Sequence, residues 1–161
     1  MRYQYRLRGG MEEPINSRSK GNPKLGLPPE VSTLPSLLKK EGYDTALIGK
    51  WHLGYPPVFG PLMSGYDDFY GIMAGGVDYF SHCSGKGDHD LYVGHEEHHE
   101  IGYLTDLLSV RAVDYVQRKA ANVEHAPFFL SLHYTAPHWP WETRDDAHLA
   151  EVVKDNLFHL S

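Results

Sequence analysis

With 161 residues, 41% hydrophobic content and a mean hydropathy of -0.46, the chain has the length and composition of one globular domain with a buried core. Fifteen basic residues against 21 acidic ones, a net charge of -6 and a pI near 6.0 exclude the basic face that a nucleic-acid binder needs, so any anion site has to be local. Cys83 is the single cysteine, which excludes an internal disulfide and a multi-cysteine zinc module; residues 1–30 show no apolar run of signal-peptide type, and no stretch has the length of a membrane span.

Residues 1–30 are loop-rich, because Gly9, Gly10, Pro14, Gly21, Pro23, Pro28 and Pro29 interrupt every possible element. The unit 31–54 reads as helix, strand and loop. Val31, Leu34, Leu37 and Leu38 recur at helical spacing and predict a helix over about 32–41, capped by Ser32 or Thr33, with Pro35 in the tolerant first turn and Gly42 as the stop. A short strand over 43–48 then opens at Gly49 into Lys50-Trp51-His52-Leu53-Gly54. Between 55 and 102 neither the helical nor the strand period persists, so the segment reads as a loop excursion with at most short elements such as 77–80.

The unit 103–141 repeats the order. Leu104, Leu107, Leu108, Ala112, Tyr115 and Val116 mark one face of a second helix, with Thr105 as its cap and Asp106 near its positive end. Phe128 to His133 is an apolar run of buried-strand length, followed by the loop Ala136-Pro137-His138-Trp139-Pro140-Trp141. The tail 142–161 is charged, with a helix expected around 146–153. Two helix-to-strand units in succession imply a single α/β domain with a mostly parallel sheet, in which ligands bind beyond the carboxyl ends of the strands, where both loops should sit.

Lys50 and His52 place a fixed positive charge and an imidazole two residues apart between Gly49 and Gly54, an arrangement suited to a tetrahedral oxyanion. Taken alone, this equally fits a solvated turn, and Pro137-His138-Trp139-Pro140 equally fits a loop with a structural histidine. The surroundings decide the matter. The run from Leu34 through Glu41-Gly42-Tyr43-Asp44-Thr45-Ala46-Leu47-Ile48-Gly49-Lys50-Trp51-His52-Leu53-Gly54, followed by Pro127-Phe128-Phe129-Leu130 and Pro137-His138-Trp139-Pro140, resembles the sulfatases of the arylsulfatase type from about Arg2 to Leu160.

The resemblance implies an alkaline-phosphatase-like α/β sandwich and a sulfuric ester hydrolase. By position, Lys50 and His52 match the family's sulfate-holding lysine and histidine, and His138 matches the histidine that contacts sulfate from the other side. Ser81 and His82 are weaker pocket candidates within Tyr79-Phe80-Ser81-His82. The implied substrate is a sulfate ester, either a small molecule or a sulfated glycan, and the family is commonly periplasmic, secreted or lysosomal. It also implies a formylglycine nucleophile, made from the cysteine of Cys-x-Pro-x-Arg, and a Ca2+ or Mg2+ ion. Neither that motif nor the family's metal ligands are found here, so the chain reads as an internal fragment, inactive alone and holding neither cofactor. A phosphonate or phosphate ester hydrolase and a non-catalytic anion-binding remnant are the alternatives. One further pattern, His95-Glu96-Glu97-His98-His99, satisfies the His-Glu-x-x-His zinc signature, which needs a helix to place both histidines on one face. Gly94 and Gly102 bracket it and no apolar stripe surrounds it, so the expectation is a solvated loop rather than a zinc peptidase.

Overall fold

The computed structural model describes residues 19–121 and 127–148. Helix α1 spans Leu34–Lys40 and is closed at both ends by local chemistry. The Thr33 hydroxyl accepts from Ser36 N–H while Ser36 Oγ accepts from Thr33 N–H, a reciprocal capping box. At the other end, Gly42 N–H donates to Lys39 O and Tyr43 N–H to Leu38 O, with Gly42 at φ 85°, which is a Schellman stop. The helix therefore forms where the spacing predicts, but its expected apolar face is not buried: Leu34 and Leu37 are 58% and 49% exposed. No described element packs over them, so the periodicity is met without a partner.

Strand β1 (Asp44–Gly49) follows and is buried along nearly its whole length. It is an interior strand of a five-stranded sheet with order β4-β3-β2-β1-β5, where β2 is Asp68–Gly71, β3 is Tyr92–Val93, β4 is Glu96–Glu97 and β5 is Phe128–His133. β1 pairs in parallel with both β2 and β5, and β3 and β4 add a short antiparallel hairpin at one side. Helix α2 (Leu104–Ala120) packs Leu104, Leu108, Ala112 and Tyr115 onto Ala46, Ile48, Tyr70 and Ile72. A second cluster, around Leu47, Trp51, Tyr55, Phe69 and Met73, fills the opposite side of the sheet. The chain is thus the α/β arrangement expected, with its long strands parallel. No helix of the described residues is long and apolar enough to cross a membrane.

Several expectations change. The 55–102 excursion holds short elements as expected, but they are β2, β3, β4 and a 3-10 turn at Leu62–Ser64 rather than 77–80, where the chain only enters a turn over 79–81. Elements of two to four residues carry too little pattern to register, and these strands exist because β1 offers a ladder to β2, β2 to β3 and β3 to β4. Strand β5 is half exposed rather than buried, because among the described residues it is paired on one edge only. Helix α2 starts behind Tyr103 rather than Thr105: its first amide is satisfied by Tyr79 O at 2.8 Å, so no side-chain cap is needed. In the tail, a 3-10 turn covers Arg144–Asp146, and residues 149–153 of the expected helix lie outside the described residues.

Three backbones meet at the carboxyl end of the sheet with no room for a side chain. A Cβ on Gly49 would lie 1.9 Å from His133 O, and one on Gly71 would lie 2.0 Å from Gly49 O, with φ of 118° and 152°. Gly49→Ala is therefore expected to destabilise the chain by more than about 3 kcal/mol, since backbone strain and a backbone clash add. Gly42→Ala, with φ 85° and nothing within 4 Å of its Cβ position, should cost only about 1–2 kcal/mol. Urea denaturation of the two variants checks the ranking, which equal losses would contradict.

Candidate functional site

Lys50 and His52 leave β1 without leaving the sheet. Lys50 N–H donates to His133 O at 2.8 Å, and His133 Nδ1 lies 3.1 Å from Lys50 O. On the other side, Trp51 N–H donates to Ile72 O at 2.9 Å and His52 N–H to Met73 O at 3.1 Å. The loop is thereby clamped between the residues that end β5 and those that follow β2. His52 takes the left-handed conformation, φ 62°, uncommon for a non-glycine residue and here fixed by that pairing.

The histidine rings meet a common floor. A Cβ on Gly75 would lie 2.6 Å from Cε1 and Nε2 of His52, and a Cβ on Gly76 would lie 2.5 Å from Nδ1 of His138. Each ring thus rests against the backbone of one of two adjacent glycines, whose Cα atoms are about 3.8 Å apart, which brings the rings within about 12 Å of each other. Two loops far apart in sequence deliver their imidazoles to one dipeptide.

The His138 loop is held there from several directions. His138 N–H donates to Thr135 O at 2.9 Å, and Tyr79 Oη donates to His138 O at 2.9 Å. Tyr103 Oη donates to Glu142 O at 2.9 Å, and Tyr79 N–H donates to Glu142 Oε2 at 2.9 Å. Arg144 closes the loop with a bidentate pair to Asp106 at 2.7 and 2.6 Å, at the start of α2. His138 itself remains exposed, with Nδ1 2.6 Å from Trp139 O.

Lys50 supplies the charge. Partial burial lowers its pKa, and its ammonium forms no ion pair among the described residues. A half-desolvated cation with no counter-ion among the described residues is suited to an anion. The backbone leading into the glycine floor is reinforced by Asp90, which is buried and accepts from Ala74 N–H at 2.6 Å, next to Gly75; burial raises the Asp90 carboxyl to about 7.

Ser81 and His82 are placed differently. His82 is 1% exposed, with Nε2 3.1 Å from Gly102 O, so its ring ties the 77–82 turn to the segment before α2; burial lowers its pKa. Ser81 N–H donates to Asp78 Oδ1 at 2.6 Å, and its hydroxyl faces Cys83 N–H at 3.4 Å. The 95–99 segment is a strand hairpin rather than a helix, which removes the geometry that a His-Glu-x-x-His peptidase requires. Sequence reasoning missed Gly75, Gly76, His133, Asp90 and Glu142. The adjacent glycines were the one visible signal, a spot where something approaches backbone closely.

A family model described as Sulfatase matches residues 2–157. The chain belongs to the sulfatase family. It is 33% identical over 129 residues to human N-acetylgalactosamine-6-sulfatase, covering 71% of this chain and 24% of that protein. Mouse arylsulfatase J is 32% identical over 162 residues, covering 94% of this chain and 26% of that protein. Among solved structures, Ps i-CgsB in complex with k-i-k-neocarrahexaose superposes with a TM-score of 0.70 at 31% identity, over 89% of this chain and 34% of that one. BT4656 in complex with its substrate D-glucosamine-2-N,6-O-disulfate superposes with a TM-score of 0.59 at 26% identity, over 88% and 26%. This sulfatase-family chain therefore spans about a quarter of the length of these curated relatives, and its fold is the alkaline-phosphatase-like α/β sheet.

Within this sulfatase-family chain, the anchor of the His138 loop titrates. Burial first, and then the neighbouring Asp78, push the Glu142 carboxyl up to about 7, against the Tyr79 N–H that holds it down. Asp78 Oδ2 is buried and takes no hydrogen bond from any other donor among the described residues, so a proton on Glu142 is the group that can serve it. The folded chain thus keeps a proton that the unfolded chain releases near 4.5. Its contribution is complete below that pH and is lost as pH rises through about 7. Glu142→Gln keeps a carbonyl for Tyr79 and an amide for Asp78 at every pH. The melting temperature of the wild type relative to Glu142→Gln should therefore fall between about pH 5 and about pH 8; a difference independent of pH would contradict the shared proton.

Proposed function

We propose that Lys50, His52 and His138 form the sulfate-holding part of a sulfuric ester hydrolase of the arylsulfatase type, and that the ester is carried by a sulfated sugar. The observation that carries this reading is the pair of imidazoles, His52 and His138, that rest on the adjacent Gly75 and Gly76, with the half-buried Lys50, which has no ion-pair partner among the described residues, two positions before His52. Sulfuryl transfer spreads negative charge over several oxygens, and donors fixed in advance around those oxygens lower its barrier. In this reading Lys50 and His52, clamped at the sheet end, hold charge on the sulfate and the leaving oxygen, and His138, from the second loop, gives a proton to the departing alkoxide. Two solved relatives point to the sugar: one is described with neocarrahexaose bound and another with a disulfated glucosamine as its substrate.

The family's formylglycine needs a cysteine or serine in x-x-Pro-x-Arg context, and no such sequence occurs among the 161 residues; Cys83 is followed by Ser84-Gly85. A calcium-type ion needs several oxygen ligands, and the sole cluster of candidate ligands among the described residues contains two imidazoles. The residues of this chain therefore bind and polarise a sulfate, and no step is routed through either group.

Sulfate binding to the chain, followed by calorimetry or amide chemical shifts, should weaken about tenfold or more in Lys50→Ala and in His52→Ala, the scale of a hydrogen bond to a charged group. Aryl sulfate hydrolysis by the same preparation should be undetectable. Sulfate affinity unchanged in both variants removes the pocket reading, and robust turnover abolished by Lys50→Ala removes the division between binding and attack. Tighter binding of phosphate than of sulfate would move the assignment to a phosphate or phosphonate ester.

A further inference from the structure

The hairpin that replaces the expected 95–99 loop brings together a different set of ligands from the one its sequence pattern names. Along β4 and the residues after it, side chains alternate between faces with period 2. His98 and Glu100 share one face: His98 Nε2 lies 3.2 Å from Glu100 Oε2, which also accepts from Tyr70 Oη and Arg111. Glu97 and His99 share the other face, where the chain passes beside His89. His89 is itself fixed, since its residue pairs with Cys83 in an antiparallel bridge and its neighbour Asp90 donates its N–H to His82 O at 2.9 Å.

The three side chains converge. His89 Nδ1 lies 3.1 Å from Glu97 Oε1, His99 Nε2 lies 3.9 Å from the same oxygen, and the three ligand atoms all lie within 4.8 Å of one another. Ligands at about 2.1 Å around a tetrahedral ion are separated by about 3.4 Å, so the observed spacings need small closure together with a turn of one imidazole, because the His89 and His99 rings stack with centroids 4.0 Å apart. The most exposed member can supply it: the side chain of His99 is 75% exposed, against 43% for Glu97 and 15% for His89. Behind His89 stands His82, with ring centroids 6.2 Å apart, itself bonded to Gly102 O. Lys20 is near enough to be felt at His89 and opposes a cation; the Glu97 carboxylate offsets it.

We propose that His89, Glu97 and His99 form a zinc-class metal site, with water completing the coordination. Two imidazoles and one carboxylate suit a borderline divalent ion and do not suit calcium or magnesium, which take oxygen ligands. The site would clip the β3–β4 hairpin to the 82–90 segment, the same segment whose Asp90 holds Ala74 N–H beneath the histidine floor. It is separate in residues and in ligand chemistry from the sulfate pocket proposed above and stands without it.

The test is titration of the metal-free 161-residue chain with zinc chloride by calorimetry, with cobalt(II) absorption as a second readout of coordination geometry. One equivalent of zinc is expected, with affinity reduced more than about tenfold in His99→Ala and in His89→Ala, and retained in His95→Ala, which removes the first histidine of the sequence pattern but none of the three ligands. Because His89 is the more buried, His99→Ala is the decisive variant, and circular dichroism confirms that both stay folded. Thermal stability should rise with zinc in the wild type and not in His99→Ala. The proposal is overturned if no stoichiometric binding occurs, if His99→Ala binds as the wild type does, or if His95→Ala loses binding as fully as His99→Ala.

Discussion

The close approach of three backbones at the end of the sheet is the constraint on which the rest depends. Gly49 packs onto the His133 carbonyl, and Gly71 packs onto the Gly49 carbonyl. With no side chain between them, the ladder continues past the formal strand ends, through Lys50 to His133 and through Trp51 and His52 to Ile72 and Met73. A loop of six residues carrying a cation and an imidazole would ordinarily be mobile. Here its amides are paired on both sides, so the entropy of positioning Lys50 and His52 is lost in folding and need not be lost again when an anion arrives.

The second loop obtains its rigidity in a different way. It leaves β5 at a half-exposed edge and cannot continue a ladder, so its anchors are side chains: Tyr79 and Tyr103 donate to its carbonyls, Glu142 accepts from Tyr79 N–H, and Arg144 grips Asp106. Such anchors depend on charge and protonation where a ladder does not. Thus the Lys50 side of the pocket is set by backbone geometry, and the His138 side is set by a half-buried carboxyl, Glu142, that burial and the neighbouring Asp78 push toward its protonated form.

The parts legible in the sequence were those with a sustained period or a strong punctuation mark. α1, α2, β1 and β5 begin and end within a few residues of where spacing and glycines put them, and Lys50, His52 and His138 stand at the strand ends that α/β logic favours. What escaped was produced by pairing rather than by pattern. β2, β3 and β4 are too short to show alternation, and Tyr79 O could not be foreseen as the cap of α2 from Thr105 and Asp106 alone. The 95–99 segment shows the same limit in its chemistry. Read with a helical period it joins His95 to His99; folded as a strand it joins Glu97 to His99 and recruits His89 from outside the motif. Burial was equally beyond reach: Leu34 and Leu37 have the spacing of a core face and lie in the open, while His82 has the look of a pocket residue and is locked to Gly102.

An anion pocket on a chain of net charge -6 raises the question of how a sulfated ligand approaches at all. At physiological ionic strength exposed charges are screened beyond about 8 Å, so the distant acids matter little to a ligand already near the sheet end. The acids that anchor the two loops are largely neutralised. Asp106, at the start of α2, is engaged by Arg144, while burial raises Asp90 and Glu142 toward the neutral form. Lys50 forms no such pair among the described residues, and its partial burial leaves less water to screen it. Among the described residues Lys50 is therefore a local cation without an ion-pair partner, even though the chain as a whole is acidic. Selectivity for a sulfated ligand over other anions must then come from how the two imidazoles on the Gly75-Gly76 floor are oriented around the ligand's oxygens, because the charge alone favours any anion equally.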